Sequence, residues 1–378
     1  MRKSIRSILM VLAVGLLSVN CEDTEDYLGN WVHSADLNAR GRSRATALMI
    51  GSKVYLVGGI GYYKTVEYYR DVWAFDAATR TWDPGNLYDS IPETDSVKAP
   101  LTTNYKKGRS GRGSGAGFVV DGKAYYGTGL GKDGIYYRDF YRFDPTAEKG
   151  SQWTNLETEG DIYPGDEVYG AVGFEVDNIG YIGTGLTKNF GYSNTFYQYD
   201  PTKAKGERWS IVENVSAAKR SMACTFTIDN KVYIFGGVKN GILVEEFERF
   251  DPNAGEGGIR WYKVSQDYRR DYHENTMNRQ NCAAFSAGGR GYVVGGQRSS
   301  GSVLGDTWEY IPRGGRYKRG VWTQRASIEG ASRYGAVGFS YNDIGFVACG
   351  QRGSDASSYF EDVWSFYPQE DYDKHTYK

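Results

Sequence analysis

Short runs of apolar and aromatic residues alternate with small polar clusters along almost the whole chain, and their arrangement repeats. Paired runs flank two-residue turns. Residues 223–228 precede Asp229-Asn230 and residues 232–235 follow it; Asp121-Gly122 and Gly288-Gly289 occupy the same setting. Such pairs supply the positive backbone angles of tight hairpins, so each predicts two antiparallel strands. The second run always ends on a diglycine-like element: Gly58-Gly59, Thr128-Gly129, Thr184-Gly185, Gly236-Gly237, Gly295-Gly296 and Cys349-Gly350. A variable loop follows, then a third aromatic-rich strand, at 71–76, 139–144, 195–200, 246–251, 306–311 and 362–367. Single tryptophans mark a fourth strand: Trp82, Trp153, Trp209, Trp261 and Trp322.

Six units of four predicted strands result, spaced 52 to 70 residues apart. The sixth has no tryptophan after Tyr367, but an unmatched one stands near the other end, in Gly29-Asn30-Trp31-Val32. A linear array has no reason to begin with a lone fourth strand and stop after a third. A ring does, because the first strand then completes the last sheet. The expected fold is all-β: a six-bladed β-propeller, four strands per blade, closed by the N-terminal strand. Diglycine, aromatic-aspartate and tryptophan in this order resemble the kelch family over residues 28–368, and kelch lipoproteins of Bacteroidetes in particular. Departures are local: Thr-Gly in units two and three, Cys-Gly in unit six, and Glu248 where other units have an aromatic residue.

Composition adds strands and removes partners. Of 378 residues, 50 are Gly and 32 Tyr, which favours turns and strands over helices. With 45 basic against 46 acidic residues there is no electrostatic case for nucleic acid. Ahead of the repeats, Arg2, Lys3 and Arg6 precede a twelve-residue apolar or small-residue run, Ile8 to Val19, too short to span a bilayer and suited to a signal peptide. Leu17-Ser18-Val19-Asn20-Cys21 resembles a bacterial lipobox, which implies lipidation of Cys21. The acidic residues 22–26 resemble the surface-export signal of Bacteroidetes lipoproteins, or serve as a solvated tether. The expected organisation is a signal peptide (1–20), a tether (21–27), one propeller (28–368) and a polar tail (369–378). Its expected location is the outer membrane, on the periplasmic side or cell surface, held by the lipid anchor alone and as a monomer.

Tight turns share one face of such a disc, and the long variable loops share the other, where function is expected. Seventeen residues before each second glycine stand Arg42, Arg112, Val168, Arg220, Arg279 and Arg333. Two readings are open for these arginines: they converge at the mouth of the axial channel and bind an anionic group, or they pair with a carboxylate of the next blade. Gln297-Arg298 and Gln351-Arg352 follow directly on diglycine elements and are expected near the same mouth. Tyr62, Tyr63, Tyr68, Tyr69, Tyr136, Tyr137 and Tyr192 crowd these loops, either to stack on sugars or proteins or to pack the loops together.

Cys224, Cys282 and Cys349 are expected as small buried thiols, a disulfide between two of them remaining open. His33, His273 and His375 lack ligand spacing, so neither metal nor cofactor is expected. Galactose oxidase, another kelch-like propeller, uses two Tyr and two His on copper, a motif without counterpart here. The sialic acid epimerases, six-bladed kelch enzymes, imply an acidic residue just past a diglycine turn as acid or base. Those positions here are Ile60, Leu130, Leu186, Val238, Gln297 and Gln351, which transfer no proton usefully. The expected function is accordingly binding or scaffolding, with a glycan or an envelope protein as ligand and no catalytic residue assigned. Sugar modification of the epimerase kind is the alternative.

Overall fold

The computed structural model describes residues 28–85, 87–92, 111–212, 217–253, 260–268, 277–314 and 318–373. The expected signal peptide, Cys21, the expected tether, His273, His375 and residues 374–378 lie outside them, as does much of two long insertions, residues 83–107 and 262–278. Within them, six sheets of four or five strands succeed one another along the chain, antiparallel but for one added strand. The first blade is typical: Thr46–Ile50, Lys53–Val57, Val72–Asp76 and Thr81–Trp82, each strand hydrogen-bonded to the next from the axis outward. Val54, Tyr55, Leu56 and Val57 are all buried, because neighbouring blades cover both faces of the sheet. That explains why the second strands read as continuous apolar runs.

The innermost strands touch in a closed circuit, from Thr46–Ile50 through Ala116–Val120, Val172–Val176, Cys224–Ile228 and Ala283–Ala287 to Val337–Tyr341 and back. Among the described residues the core forms six apolar clusters, one at each junction between adjacent blades. Phe226 and Tyr233 of the fourth blade, for example, pack with Trp308, Tyr310 and Trp322 of the fifth. A blade therefore owns no core of its own.

Closure follows the sequence expectation. Leu28–Asp36 pairs antiparallel with Asp362–Asp371, placing Trp31 opposite Phe366 with their rings 4.8 Å apart. Trp31 is fully buried and donates from Nε1 to the Ala326 carbonyl (3.0 Å), so the strand also touches the fifth blade. Two details differ from expectation. The last strand runs to Asp371, beyond residue 368, because Leu28 pairs there. The fifth blade has five strands: Gln266–Tyr268, from the insertion after the fourth blade, pairs parallel with the outer strand Gly320–Arg325. Among the described residues no helix is long and apolar enough to cross a membrane.

Candidate functional site

Each of the five repeated arginines folds back onto its own blade. Arg42 donates to the Gly58 carbonyl (3.1 Å) and, in bidentate fashion, to Asp71 (2.6 and 2.9 Å). Arg279 does the same with Gly295 (3.0 Å) and Asp306 (2.6 and 3.0 Å). Arg333 repeats it with Cys349 (3.0 Å) and Asp362 (2.6 and 2.9 Å), and Arg112 with Thr128 (3.2 Å) and Asp139. All five guanidinium groups are 0–1 % exposed. The expectation that they gather at the axial mouth to meet a ligand is therefore corrected, and so is the pairing: the carboxylate belongs to the same blade, not the next.

The next-blade link runs through the backbone instead. The second glycine of each blade donates its N–H to the carbonyl of Arg112, Val168, Arg220, Arg279, Arg333 or Arg42 in the following blade, at 2.7–2.8 Å. Trp73, Trp308 and Trp364 each hydrogen-bond the aspartate two residues earlier, fixing the carboxylate. Tyr69 covers Arg42, Tyr137 covers Arg112 and Phe360 covers Arg333. Two of the loop tyrosines are thereby structural.

Departures from the motif come in matched pairs. In the third blade Val168 replaces the arginine and Thr195 the aspartate, so no charge is stranded. In the fourth, Arg220 reaches Glu248 (2.5 Å), two positions on along the strand and hence on the same face. That pair is the least comfortable. Burial lowers the pKa of Arg220 and raises that of Glu248, despite their mutual attraction. Burial also works against Asp71 and Asp306, but there the arginine more than offsets it and holds both carboxyls below the ordinary aspartate range.

The diglycine departures have a geometric reason as well. First members lie at φ 58–67°, which Thr128, Thr184 and Cys349 tolerate; second members lie at φ 96–108°, which needs glycine.

Two residues beyond each arginine position the chain kinks again. Arg44, Ser114, Gly170, Met222, Asn281 and Gly335 all have φ between 53° and 66°. Their backbones close a ring: Ser114 N–H to Arg44 carbonyl, Gly170 to Ser114, Met222 to Gly170, Asn281 to Met222, Gly335 to Asn281 and Arg44 to Gly335, at 2.6–2.9 Å. Every blade gives one donor and one acceptor around the axis. Beside it lies a cavity of about 110 Å³, lined also by Ala45, Gly115, Ala171, Ala223, Cys282 and Ala336.

Arg44 is the one charged side chain of this ring. Among the described residues it has no ion-pair partner, and its Nε is buried without a hydrogen bond. Its guanidinium stands 6.0 Å from the centre of the Tyr334 ring. On the loop side, each blade carries a short strand or bridge after its diglycine, with Tyr68, Tyr136, Tyr192 and Tyr359 at the equivalent outer position of four blades. Tyr136 packs edge-on against Tyr169 at 5.3 Å. Tyr169 and Tyr359 both lie within electrostatic reach of Arg44 and Tyr68. All six tyrosines are half-buried. Burial raises the hydroxyls of Tyr136, Tyr169 and Tyr359, which therefore stay protonated and able to donate.

The sixth, first, second and third blades thus form an aromatic arc beside Arg44, which has no ion-pair partner among the described residues. The opposite half carries Gln280 bridged to Gln297, and Ser221 bridged to Val238. Gln297 is half-buried and donates to the Gly301 carbonyl at 3.3 Å; Arg298 is half-buried beside it. Gln351 is buried, bonded to Ser43 and to the Gly353 carbonyl, and Arg352 is exposed. Sequence reasoning passed over Arg44 for Arg42. The available signal was that, of the six residues two places after the arginine position, only this one is charged.

Two kelch-motif models match the sequence, one at residues 41–87 and one at 219–256, in the first and fourth blades. The chain is a six-bladed β-propeller that carries kelch motifs. A solved structure of the protein YjhT superposes on this propeller with a TM-score of 0.63, covering 87 % of this chain and 95 % of that one at 12 % identity, which speaks to the fold alone. No curated protein matches the sequence.

Proposed function

We propose that this kelch propeller is a glycan-binding protein of the cell envelope, holding a saccharide with one anionic group in the loop-face mouth. The observation that carries the reading is Arg44, a partly buried guanidinium without a counter-charge among the described residues, near Tyr169, Tyr334 and Tyr359 and the neighbouring Tyr68, Tyr136 and Tyr192. Tyrosine faces suit the apolar faces of sugar rings, their hydroxyls suit sugar hydroxyls, and a planar guanidinium suits carboxylate, sulfate or phosphate. Arg2, Lys3 and Arg6, the apolar run and Cys21 support export and lipid anchoring, which would present this face outward from a membrane. Binding is preferred to sugar modification because the positions after the six diglycines offer no proton-transfer group.

An array of neutral and singly anionic saccharides tests this reading. Capture of anionic sugars by the native protein, lost in Arg44→Gln, is expected. Equal capture by both proteins, or capture of neutral sugars only, would overturn it. Catalysis is checked separately by NMR of sialic acid anomers, where no acceleration of exchange is expected.

A further inference from the structure

We infer that a second binding site lies between the outer parts of the fourth and fifth blades, built for a short oligosaccharide bearing several sulfate or phosphate groups. A cleft of about 590 Å³ opens there, within the size range of small-ligand sites. Six cationic side chains line it: Lys231, Arg249 and Lys263 from the fourth blade, Arg313, Lys318 and Arg319 from the fifth. Asp229 is the acidic residue of its wall. The chain as a whole has a formal charge of −1, so this concentration of one sign is local.

The cations contributed by the fourth blade are only loosely neutralised by the scaffold. In the first two blades the lysine of the second strand is closely paired, Lys53 with Asp83 at 2.7 Å and Lys123 with Asp144. In the fourth blade, Lys231 and Arg249 share Asp251 at 4.0 and 3.8 Å, and the buried Arg249 Nε has no hydrogen bond. The fifth blade departs from the repeat in the same direction. The third strands of the first four blades close on Asp76, Asp144, Asp200 and Asp251, whereas the fifth has Ile311, then Pro312-Arg313 and Lys318-Arg319. The fifth blade thus brings bases to the cleft wall and has no acid where the first four blades carry one.

The shape limits what fits. The cleft continues into a second space of about 530 Å³ that shares Lys263 and Arg319 but is bounded by Glu245 and Glu246. The change of sign there ends the anion-binding stretch, so the ligand is short. Several separated cations match several anionic groups, unlike the single guanidinium of the axial mouth. Tyr262 gives the wall an aromatic surface beside Arg249, which suits a sugar carrier of those groups.

Calorimetric titration of the full chain with a heparin-derived sulfated hexasaccharide tests the inference. Its desulfated counterpart, inorganic tripolyphosphate and anionic phosphatidylglycerol vesicles serve as comparisons. The sulfated sugar should bind, weaken as salt rises, and lose about tenfold or more in the Arg313→Glu/Lys318→Glu double variant, both residues being exposed on the cleft wall, with thermal melting of that variant checked alongside. Arg44→Gln should leave this binding unchanged, which separates it from the mouth. Full affinity in the double variant, equal binding of the desulfated sugar, or binding of tripolyphosphate or vesicles alone would overturn it.

Discussion

At Arg44 the backbone takes φ 54°, and that kink separates two arginines only two positions apart. Arg42 bonds to Gly58 and Asp71 inside its blade, whereas Arg44 stays on the axis with no carboxylate partner among the described residues. Removing Arg44 should cost little stability, within about 0.5 kcal/mol, since it holds nothing else in place; thermal melting of Arg44→Gln checks this. The stapling arginines behave oppositely. Asp306→Asn strands Arg279 in a buried site and should cost about 3–5 kcal/mol in urea unfolding. Glu248→Gln should cost less than half as much, because burial already disfavours the charged form there. The pH dependence follows from the same shifts. Asp71 and Asp306 titrate lower in the fold than in the unfolded chain, where aspartate is near 3.8. Their stabilisation is full above that value and is lost as pH falls through the folded values. Glu248 has the opposite sign, its raised folded pKa favouring the protonated form. An acid titration of stability in Asp306→Asn should therefore be shallower than in the native protein, while Glu248→Gln should be somewhat steeper, because it removes a group that gains stability as pH falls.

Strands and their order were largely legible before any coordinates. Turn pairs and diglycines marked the hairpins, and the displaced Trp31 marked the closing strand. What stayed hidden depended on distant pairing. Gln266–Tyr268 becomes a fifth strand only because Gly320–Arg325, more than fifty residues later, offers a free edge. The αL kinks that aim Arg44 at the axis leave no mark in a Ser-Arg-Ala tripeptide, since the equivalent residue is glycine in only two of six blades. Deleting residues 28–36 should strip the outer strand from the sixth blade, expose the edge of Asp362–Asp371 and uncover Phe366. Loss of stability and concentration-dependent aggregation are expected in light scattering; native-like melting would count against closure by this strand. A second element-scale link joins the fourth and fifth blades, where the Cys224 and Cys282 sulfurs lie 2.8 Å apart as free thiols. Burial raises the Cys224 pKa strongly, so neither peroxide nor small disulfides should reach a thiolate readily in the fold. Oxidation during refolding, with two electrons and two protons passing to a small-molecule disulfide, should instead form the cross-link. Non-reducing peptide mapping would detect it, with a gain of about 4 kcal/mol for a loop of this length.

The whole molecule is a ring whose two faces differ in kind. Six shared cores and six head-to-tail backbone hydrogen bonds make the disc rigid, so its loops are held at fixed places around the axis. In five of the six blades an arginine is balanced by a carboxylate of the same blade. Arg44 breaks the balance on the axis, on the face that carries the long loops. A co-crystal structure with the strongest singly anionic saccharide from the array puts the central claim to its most direct test. The account predicts the anionic group within about 2.7–2.9 Å of the Arg44 guanidinium, with a sugar ring against the tyrosine arc. A saccharide bound on the turn face, or in the mouth with its charge away from Arg44, would contradict it.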